Sequence, residues 1–280
     1  MRDTTVAIVG LGLIGGSLAR DLAARGVHVL GFDRDADTLA AATADGAVHG
    51  AISPSLEELG QVDLLVLAVP VTDAQPALEA ARPRLGPRTV MTDVGSTTRS
   101  IQTAADRLGV GHRFVGSHPL AGDHRPGWAA SRTGLFAGAR TILCPGPATA
   151  AAALDTVSKL WREVGAETVT MSAAAHDELV AMTSHLPQLA AYALAATLAD
   201  DDIGRQWLAA GGRDTLRLAA SPVPLWVGIA LDNADHLLPA LAHLRNNIKR
   251  LEDALGRHDD AALSELFADG KDWYAGPARL

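Results

Sequence analysis

The chain has 280 residues, 48% of them hydrophobic and 20% charged, which suffices for one large domain or two ordinary ones with a hydrophobic core. Its formal net charge of −8 argues against a nucleic-acid partner, because phosphate backbones bind to basic surfaces. The single cysteine, Cys144, excludes an intramolecular disulfide and a multi-cysteine metal site. We therefore expect a cytoplasmic protein without a bound metal.

The apolar run from 6 to 19 follows Arg2 and superficially resembles a signal peptide. Asp3 lies in the would-be basic region and glycines interrupt the run, so a buried strand leading into a glycine turn explains it better. No stretch reaches the ~18 apolar residues that a membrane helix requires, and we expect no membrane partner.

Up to residue 145, short apolar runs rich in β-branched residues alternate with helical patterns. Strands are predicted at 5–10, 27–32, 62–70, 89–94, 113–117 and 140–145, and helices at 13–25, 73–85 and 98–108. This alternation predicts an α/β fold with a Rossmann-like, doubly wound parallel sheet. A further crossover is expected to end in a strand at 167–171.

Beyond Ser172 the pattern is almost entirely helical. Helices are predicted at 173–186, 188–200, 203–210, 213–220, 224–256 and 259–268, with a break in the long segment near Pro239. We predict a dinucleotide-binding domain over 1–171 and an all-helical domain over 172–280. Large apolar faces favour a homodimer formed through the helical domain. The alternative is that these helices pack only on their own sheet domain.

The sequence "GLGLIGG" follows the first predicted strand and opens the first predicted helix. This context turns a weak glycine pattern into a dinucleotide-binding signature. Glycine permits a tight turn at the first position, close approach of a pyrophosphate at the second, and close helix packing at the third. The predicted cofactor-binding residues of this turn are Gly10, Gly12, Leu13, Ile14 and Gly15.

Asp33 ends the second predicted strand, where a carboxylate can bind both ribose hydroxyls and repel a 2′-phosphate. This favours NAD as the cofactor. Arg34 leaves NADP open, because an arginine can receive the phosphate. Val69 and Pro70, after the third predicted strand, are expected to lie beside the cofactor.

The loop "GSHPLAGDHRPGW" has no helical or strand period. His118 follows the predicted strand at 113–117 and Ser96 follows another, so both are expected at the carboxyl edge of the sheet, where ligands bind. A neutral histidine with a pKa near 6.5 suits removal of a hydroxyl proton while hydride leaves the same carbon. The alternative is that His118 caps a turn. His124, between Asp123 and Arg125, is interpreted as a solvated loop residue.

These residues lie in segments that resemble the prephenate/arogenate dehydrogenases of tyrosine biosynthesis. The matching segments are "VGLGLIGGSLA", "DVGS", "GSHPLAGDHRPGWAAS", "LFAGARTILCP", "HDELVAMTSHLP", "GGRDTLRLAAS" and "LW", in family order over nearly the whole chain. The resemblance implies a nicotinamide-binding domain followed by a helical dimerisation domain. It implies that His118 accepts the hydrogen bond of the substrate's ring hydroxyl, assisted by Ser96.

The resemblance also implies the substrate-binding residues, with Arg217 on a carboxylate and Arg213 nearby. It places Ser184, His185 and Trp226 around the pocket. Two arginines four residues apart share a helical face and can bind a dianionic cyclohexadienyl substrate. The alternative is an exposed basic face on which Asp214 pairs with Arg217.

The pair His176-Asp177 near a helix start is interpreted as structural. Ser184 and His185 precede Pro187, which predicts a kinked helix with a freed backbone carbonyl.

Three positions depart from the family pattern. Gln188 stands where many relatives have a second histidine in "SHLPH", Thr98 stands for a lysine after "DVGS", and "SPVPLW" stands for "SDPxMW". Glutamine forms hydrogen bonds but carries no charge, so Gln188 is a predicted substrate contact that bears on substrate preference.

We predict an NAD-dependent oxidative decarboxylation of prephenate to 4-hydroxyphenylpyruvate. The first alternative is the same chemistry on arogenate, yielding tyrosine. More distant alternatives are a β-hydroxyacid dehydrogenase or an imine reductase, which would need a different catalytic acid or lysine in the helical half. A non-catalytic NAD-sensing protein is the alternative from another class.

Overall fold

The computed structural model of the chain describes residues 1, 3–122 and 125–276. It forms two compact units, one from Met1 to Ala234 and one that begins at Asp235. The predicted division at residue 171 therefore does not coincide with the boundary between the compact units. The division stays a prediction. Among the described residues, no helix is both long and apolar enough to span a membrane.

The strands of the first unit form one sheet, which has eight strands in the described part of the chain. They are β1 (Thr5–Val9), β2 (His28–Phe32), β3 (Gly50–Ala51), β4 (Leu64–Leu67), β5 (Val90–Asp93), β6 (Phe114–Pro119), β7 (Arg140–Pro145) and β8 (Glu167–Thr170). Their spatial order is β3-β2-β1-β4-β5-β6-β7-β8. The order reverses between β1 and β4, and ligands bind at the carboxyl ends beside such a switch point.

The strands from β1 to β6 pair in parallel, as predicted, whereas β7 pairs antiparallel with β6 and β8 pairs in parallel with β7. The connection from β6 to β7 explains this reversal. Its described residues form turns and a short 3-10 helix at Trp128–Ala130, with no crossover helix among them. The chain therefore re-enters the sheet from the edge at which it left.

Helices cover both faces of the sheet, because successive side chains of a strand point to opposite faces. On one face Ile8 and Val66 join a core cluster with Leu18 and Trp161. On the other face Ala7 and Leu65 join a second cluster, packed under helices that follow β4 and β5. The helices of this part are α1 (Leu13–Ala23), α2 (Ala36–Ala44), α3 (Val71–Ala81), α4 (Arg99–Arg107) and α5 (Ala151–Glu163). The predicted doubly wound α/β fold is confirmed.

The helical half begins in the first unit. Its helices there are α6 (Ala173–Val180), α7 (Leu186–Asp200), α8 (Ala210–Leu216) and α9 (Val223–Asp232). A π-helical turn at Ala181–His185 joins α6 to α7, where the sequence predicts a proline kink. The predicted helix at 203–210 is wrong, since only a 3-10 turn forms at Arg205–Trp207. A second 3-10 turn, Arg217–Ala220, follows α8.

The predicted helix at 224–256 does break, but at Asn233 instead of Pro239. Asn233 is fully buried, and its Nδ2 donates a hydrogen bond of 2.8 Å to the Asp177 carbonyl. This contact ends α9. Pro239 lies inside the next helix, α10 (Ala234–Gly256), close to its start. A proline there removes one helical hydrogen bond, and the helix continues.

The second unit contains the greater part of α10 together with α11 (Asp260–Ala275). Asp259 caps α11, since its side chain accepts a hydrogen bond of 3.0 Å from the Ala262 amide. The observed start at Asp260 lies one residue from the predicted start at 259. The helix continues past the predicted end at 268, through Ala275.

Candidate active site

The glycine turn between β1 and α1 is built as the sequence predicts. Gly10 has a φ of +94°, and a Cβ at this position would overlap the Ala68 carbonyl. A Cβ on Gly15 would overlap the Gly10 carbonyl and approach the Ala68 Cβ to 2.8 Å. Both positions need glycine because helix α1 lies tightly against the ends of β1 and β4.

The N-terminus of α1 fits a phosphate group. Its N-cap is Gly12, which offers no side chain, and its first turn contains no acidic residue. A Cβ on Gly12 would meet no atom within 4 Å, so open space lies above this backbone. The first amide groups of the helix point out of the helix without a capping partner, and such groups bind phosphate.

Asp33 follows β2 and supports the glycine turn. Its Oδ2 accepts a hydrogen bond of 2.7 Å from the Leu11 amide, and its Oδ1 accepts one of 2.9 Å from the Asp35 amide. The neighbouring Arg34 is 85% exposed and lies 3.8 Å from an oxygen of Asp73. The carboxylate is thus held at the carboxyl end of β2, where it was expected.

A cavity of about 640 Å³ lies at the carboxyl edge of the sheet, within the first unit. Two groups of predicted residues line it. The sheet wall comprises Gly12, Leu13, Ile14, Val69, Pro70, Ser96 and His118. The helical wall comprises Ser184, Gln188, Arg217 and Trp226. The predicted residues outside this lining are Gly10, Gly15, Asp33, Arg34, His185 and Arg213.

His118 lies inside β6, opposite Ile142 of β7, whereas the sequence predicts a loop position after the strand. It is 9% exposed, and its Nδ1 lies 2.9 Å from His176 Nε2. Burial, and then the neighbouring His176 and His185, lower the pKa of His118 to about 3. The expected pKa near 6.5 is therefore wrong for the folded chain, and His118 is neutral at physiological pH.

The pair His176-Asp177 contacts this site, although its position near a helix start predicts a structural role. His176 Nδ1 lies 2.8 Å from Asp177 Oδ1, and both residues are buried. Asp177 accepts backbone hydrogen bonds from Thr98 at 2.9 Å and Arg99 at 3.0 Å. Burial opposes ionisation of Asp177, but the hydrogen bonds from His176, Thr98 and Arg99 outweigh it and lower its pKa.

Ser96 lies in the loop after β5, and a buried carboxyl group holds this loop. Asp93 accepts hydrogen bonds from the amides of Gly95 at 3.0 Å and Ser117 at 3.1 Å. Burial raises the pKa of Asp93 to about 7, in spite of these bonds. Because Asp93 bonds to both β6 and the loop, Ser96 and His118 are fixed relative to each other.

Arg217 begins the 3-10 turn after α8, and its side chain lines the cavity. Within the described part of the chain its guanidinium has no hydrogen-bond or ionic partner, so the expected alternative of a pair with Asp214 is not seen. Arg213 is different, since its Nη1 donates a hydrogen bond of 2.7 Å to the Leu208 carbonyl. That contact holds Arg213 away from the cavity, contrary to the prediction that both arginines share one face in the site.

Gln188 and Trp226 form much of the remaining helical wall. Gln188 is buried, and its Nε2 donates a hydrogen bond of 2.6 Å to the Leu218 carbonyl. The Trp226 ring meets the His185 ring edge-on, with centroids 5.9 Å apart. His185 is fully buried behind this contact, and burial lowers its pKa to about 4. His185 therefore supports the wall without lining it.

Two sequence predictions remain, one about a loop histidine and one about metal binding. His124, interpreted as a solvated loop residue, lies outside the described residues. Among the described residues, no cluster of three or more histidine, cysteine or acidic side chains could hold a metal ion.

An enzyme that transfers hydride needs a nicotinamide cofactor next to a substrate hydroxyl and a base. This cavity joins an uncapped helix N-terminus to a neutral histidine and to Arg217, a cation with no partner among the residues that the structure describes, at the switch point of a parallel sheet. The fold and the site are those of a dinucleotide-dependent dehydrogenase.

Comparison with known proteins narrows this class. Residues 18–170 match the family model "Prephenate dehydrogenase, nucleotide-binding domain", and residues 172–269 match "Prephenate dehydrogenase, dimerization domain". The chain is 34% identical to the cyclohexadienyl dehydrogenase of Zymomonas mobilis, over 95% of this chain and 93% of that protein. It is 30% identical to the prephenate dehydrogenase of Bacillus subtilis, over 99% of this chain and 76% of that one. The chain belongs to the prephenate dehydrogenase family.

A solved structure agrees with this assignment. The prephenate dehydrogenase of Aquifex aeolicus, in complex with hydroxyphenyl propionate and NAD+, superimposes with a TM-score of 0.91. The match covers 97% of each chain at 27% sequence identity. Membership of the prephenate dehydrogenase family sets aside the alternatives of a non-catalytic sensor, a β-hydroxyacid dehydrogenase and an imine reductase.

Proposed function

We propose that the chain catalyses the NAD-dependent oxidative decarboxylation of prephenate to 4-hydroxyphenylpyruvate. The observation that carries this proposal is the shared cavity of His118, Arg217 and the glycine turn at Gly12. Oxidation of a hydroxylated dianionic ring requires a base at the hydroxyl and a cation at a carboxylate.

The residues of the α1 turn fit the pyrophosphate of NAD, through Gly12 and the uncapped amides of Leu13 and Ile14. Asp33 is the partner for the ribose hydroxyls, and the proximity of Arg34 to Asp73 favours NAD over NADP. Val69 and Pro70 line the cavity beside the sheet edge. Bound NAD would accept the hydride from the ring carbon that bears the hydroxyl.

His118 accepts the hydroxyl proton as the carbonyl forms. The ring carboxylate then leaves as CO₂, and the electron pair of its carbon–carbon bond makes the ring aromatic. His118 returns its proton to the resulting phenolate oxygen, so the step consumes and releases no net proton. Ser96 is the second hydrogen-bonding group at the hydroxyl, and Arg217 holds a carboxylate. Positioning and charge complementarity contribute several kcal/mol each.

Arogenate is the second candidate substrate, and Gln188 is the observation that favours it. The Leu218 carbonyl can only accept, so the amide nitrogen of Gln188 must face it. The amide oxygen remains as an acceptor on a residue of the helical wall. An acceptor suits the ammonium group of arogenate better than the keto group of prephenate.

One assay tests both candidates. Purified protein is mixed with prephenate or arogenate and with NAD or NADP, and the absorbance of the reduced nicotinamide is followed. Our proposal expects the largest kcat/KM for prephenate with NAD. A larger kcat/KM for arogenate would establish the second candidate, and no reduction with any pair would refute both.

We further propose a homodimer formed through the helical domain over 172–280, with 1–171 as the cofactor-binding domain. The match of residues 172–269 to a dimerisation domain supports this. In α9, the apolar residues Val223, Val227 and Leu231 recur every four residues and are exposed. Light scattering on the intact protein tests the proposal, since a monomer at micromolar concentration would contradict it.

The proposed location is the cytoplasm. Cys144 is the single cysteine and is a free, buried thiol, as expected in a reducing compartment. Cell fractionation with an antibody against the protein tests this proposal.

A further inference from the structure

Three buried side chains form a hydrogen-bonded row that ends at the cavity. His118 Nδ1 lies 2.9 Å from His176 Nε2, and His176 Nδ1 lies 2.8 Å from Asp177 Oδ1. The rings of the two histidines meet edge-on, at an interplanar angle of 79°. The row crosses from the sheet to α6, so it connects the proposed base to a carboxylate on another element.

The carboxylate end of the row is anchored firmly. Asp177 accepts hydrogen bonds from the amides of Thr98 and Arg99, at the start of α4. The Thr98 hydroxyl donates to the same carboxylate at 3.3 Å. Thr98 Oγ1 also lies 3.2 Å from His176 Nδ1, and a hydroxyl that donates to Asp177 can still accept from Nδ1, so both neighbours of Nδ1 place a proton there. The backbone amides of Thr98 and Arg99 therefore hold the Asp177 carboxylate in place.

This geometry determines the tautomers of both histidines. The ionised Asp177 can only accept, so His176 carries its proton on Nδ1 and has a bare Nε2. A bare His176 Nε2 must receive its hydrogen bond from His118, which therefore carries its proton on Nδ1. The Nε2 of His118 is then unprotonated. Within the described residues it has no protein partner, and His118 lines the cavity.

We propose that His176 and Asp177 are positioning residues for the proposed base, which hold His118 in the tautomer and orientation that present a bare Nε2 to the substrate hydroxyl. This inference rests on the proposed function. The carboxylate also favours the positive charge that His118 gains when it accepts the proton. Besides Asp177, the ionisable groups around His118 are His176, His185 and the cavity-lining Arg125 and Arg217.

The first test compares two substitutions of the middle residue. His176→Leu removes the acceptor for His118, whereas His176→Gln retains a carbonyl oxygen that can take its place. We expect kcat to fall about 10²-fold in His176→Leu, the scale of a misaligned base, with KM within about threefold of wild type. The kcat of His176→Gln should be about tenfold higher than that of His176→Leu.

The control for this comparison is His49→Leu, which removes another hydrogen-bonded histidine. His49 Nδ1 accepts a hydrogen bond of 3.1 Å from the Val29 amide, outside the cavity. Its kcat should match that of wild type. Equal losses of kcat in His176→Leu and His176→Gln, or a loss confined to KM, would assign His176 a merely structural role and overturn the proposal.

The second test needs no turnover. Histidine side-chain ¹⁵N spectra of the intact wild-type protein report which ring nitrogen is protonated, and the His118→Asn spectrum identifies the His118 signals. We expect a protonated Nδ1 and a bare Nε2 on His118. A protonated Nε2 would overturn the positioning proposal even if the enzyme oxidises prephenate. The opposite result is also distinguishable. If the protein shows the expected tautomer but oxidises neither prephenate nor arogenate, the positioning proposal survives and only the proposed function is refuted.

Discussion

The two walls of the cavity are built in different ways. On the sheet wall, His118 lies in a paired strand and Ser96 in a loop that buried Asp93 holds. On the helical wall, Arg217 and Ser184 are exposed side chains on a 3-10 turn and a π turn. The proposed base is thus buried in a paired strand of the sheet wall, whereas the cation of the helical wall is an exposed side chain on a short turn. The comparison suggests that proton transfer depends on the first wall and substrate selection on the second.

The largest effect is expected from removing the proposed base on the sheet wall. His118→Asn should lower kcat by about 10²-fold or more, the usual scale of a lost general base. The exposed His112 provides the matched control, and His112→Asn should leave kcat unchanged. Stopped-flow measurement of NADH formation gives both values. Wild-type turnover in His118→Asn would refute the assignment of the base to the sheet wall.

Removal of the Arg217 cation from the helical wall should weaken substrate binding. Arg217→Gln should raise KM for prephenate about 10- to 100-fold, because a charge-assisted hydrogen bond to a carboxylate contributes about 1.5–3 kcal/mol. KM for NAD should stay within about twofold, since the proposed pyrophosphate site consists of the uncapped backbone amides at the start of α1 and does not include Arg217. Arg213→Gln is the paired control. If it raised KM as much as Arg217→Gln, the observed contact of Arg213 with Leu208 would not describe the working enzyme.

A smaller effect is expected where the helical wall selects between substrates. In Gln188→His, a side chain that can donate and carry charge replaces a neutral amide, which should favour a keto group over an ammonium group. We expect the ratio of kcat/KM for prephenate to that for arogenate to rise by up to about tenfold. Competition between the two substrates measures this ratio directly. A ratio that is unchanged, or that moves towards arogenate, would show that selection lies elsewhere in the cavity.

The smallest effect is expected in the dependence of kcat/KM on pH. Burial lowers the pKa of His118 to about 3, so the free enzyme keeps this histidine neutral as the pH falls through 6.5. We expect kcat/KM to vary less than about twofold between about pH 5.5 and 7.5. An acid limb with an apparent pKa near 6.5 that persists in Asp93→Asn would mean that His118 is solvated in the working enzyme, because this substitution removes the buried carboxyl group whose pKa is raised to about 7. In that case the contrast between a buried base and an exposed cation would fail.

The sheet wall was largely predictable from the sequence because its signals are local. The glycine spacing marks positions where a Cβ has no room, as Gly10 and Gly15 show. A strand that ends at the carboxyl edge of a sheet brings its last residues to the site, which is why Ser96 and His118 were identified. The exact position of His118 was not predictable, since β6 extends through pairing with β7, a neighbour remote in sequence.

The helical wall was less predictable because its details depend on tertiary contacts. The π turn, the fold-back of Arg213 onto Leu208 and the helix break at Asn233 all come from contacts that periodicity does not show. The role of the pair His176-Asp177 was missed for the same reason. The short pattern "HD" at a helix start carries no information on which strand the helix will meet.

The antiparallel return of β7 has a consequence for redesign. Both ends of the 120–139 connection are clamped by adjacent strands, from the pair Val115 and Pro145 to the pair Pro119 and Thr141. Its later part is docked on α1, where the Trp128 ring abuts Gly16 and the Gly134 amide donates to Asp21. The described residues of the remaining stretch, 120–122 and 125–127, line the cavity. Because the ends of the loop are already held and a change of loop length costs little free energy, we expect the protein to tolerate exchange of this loop between homologues.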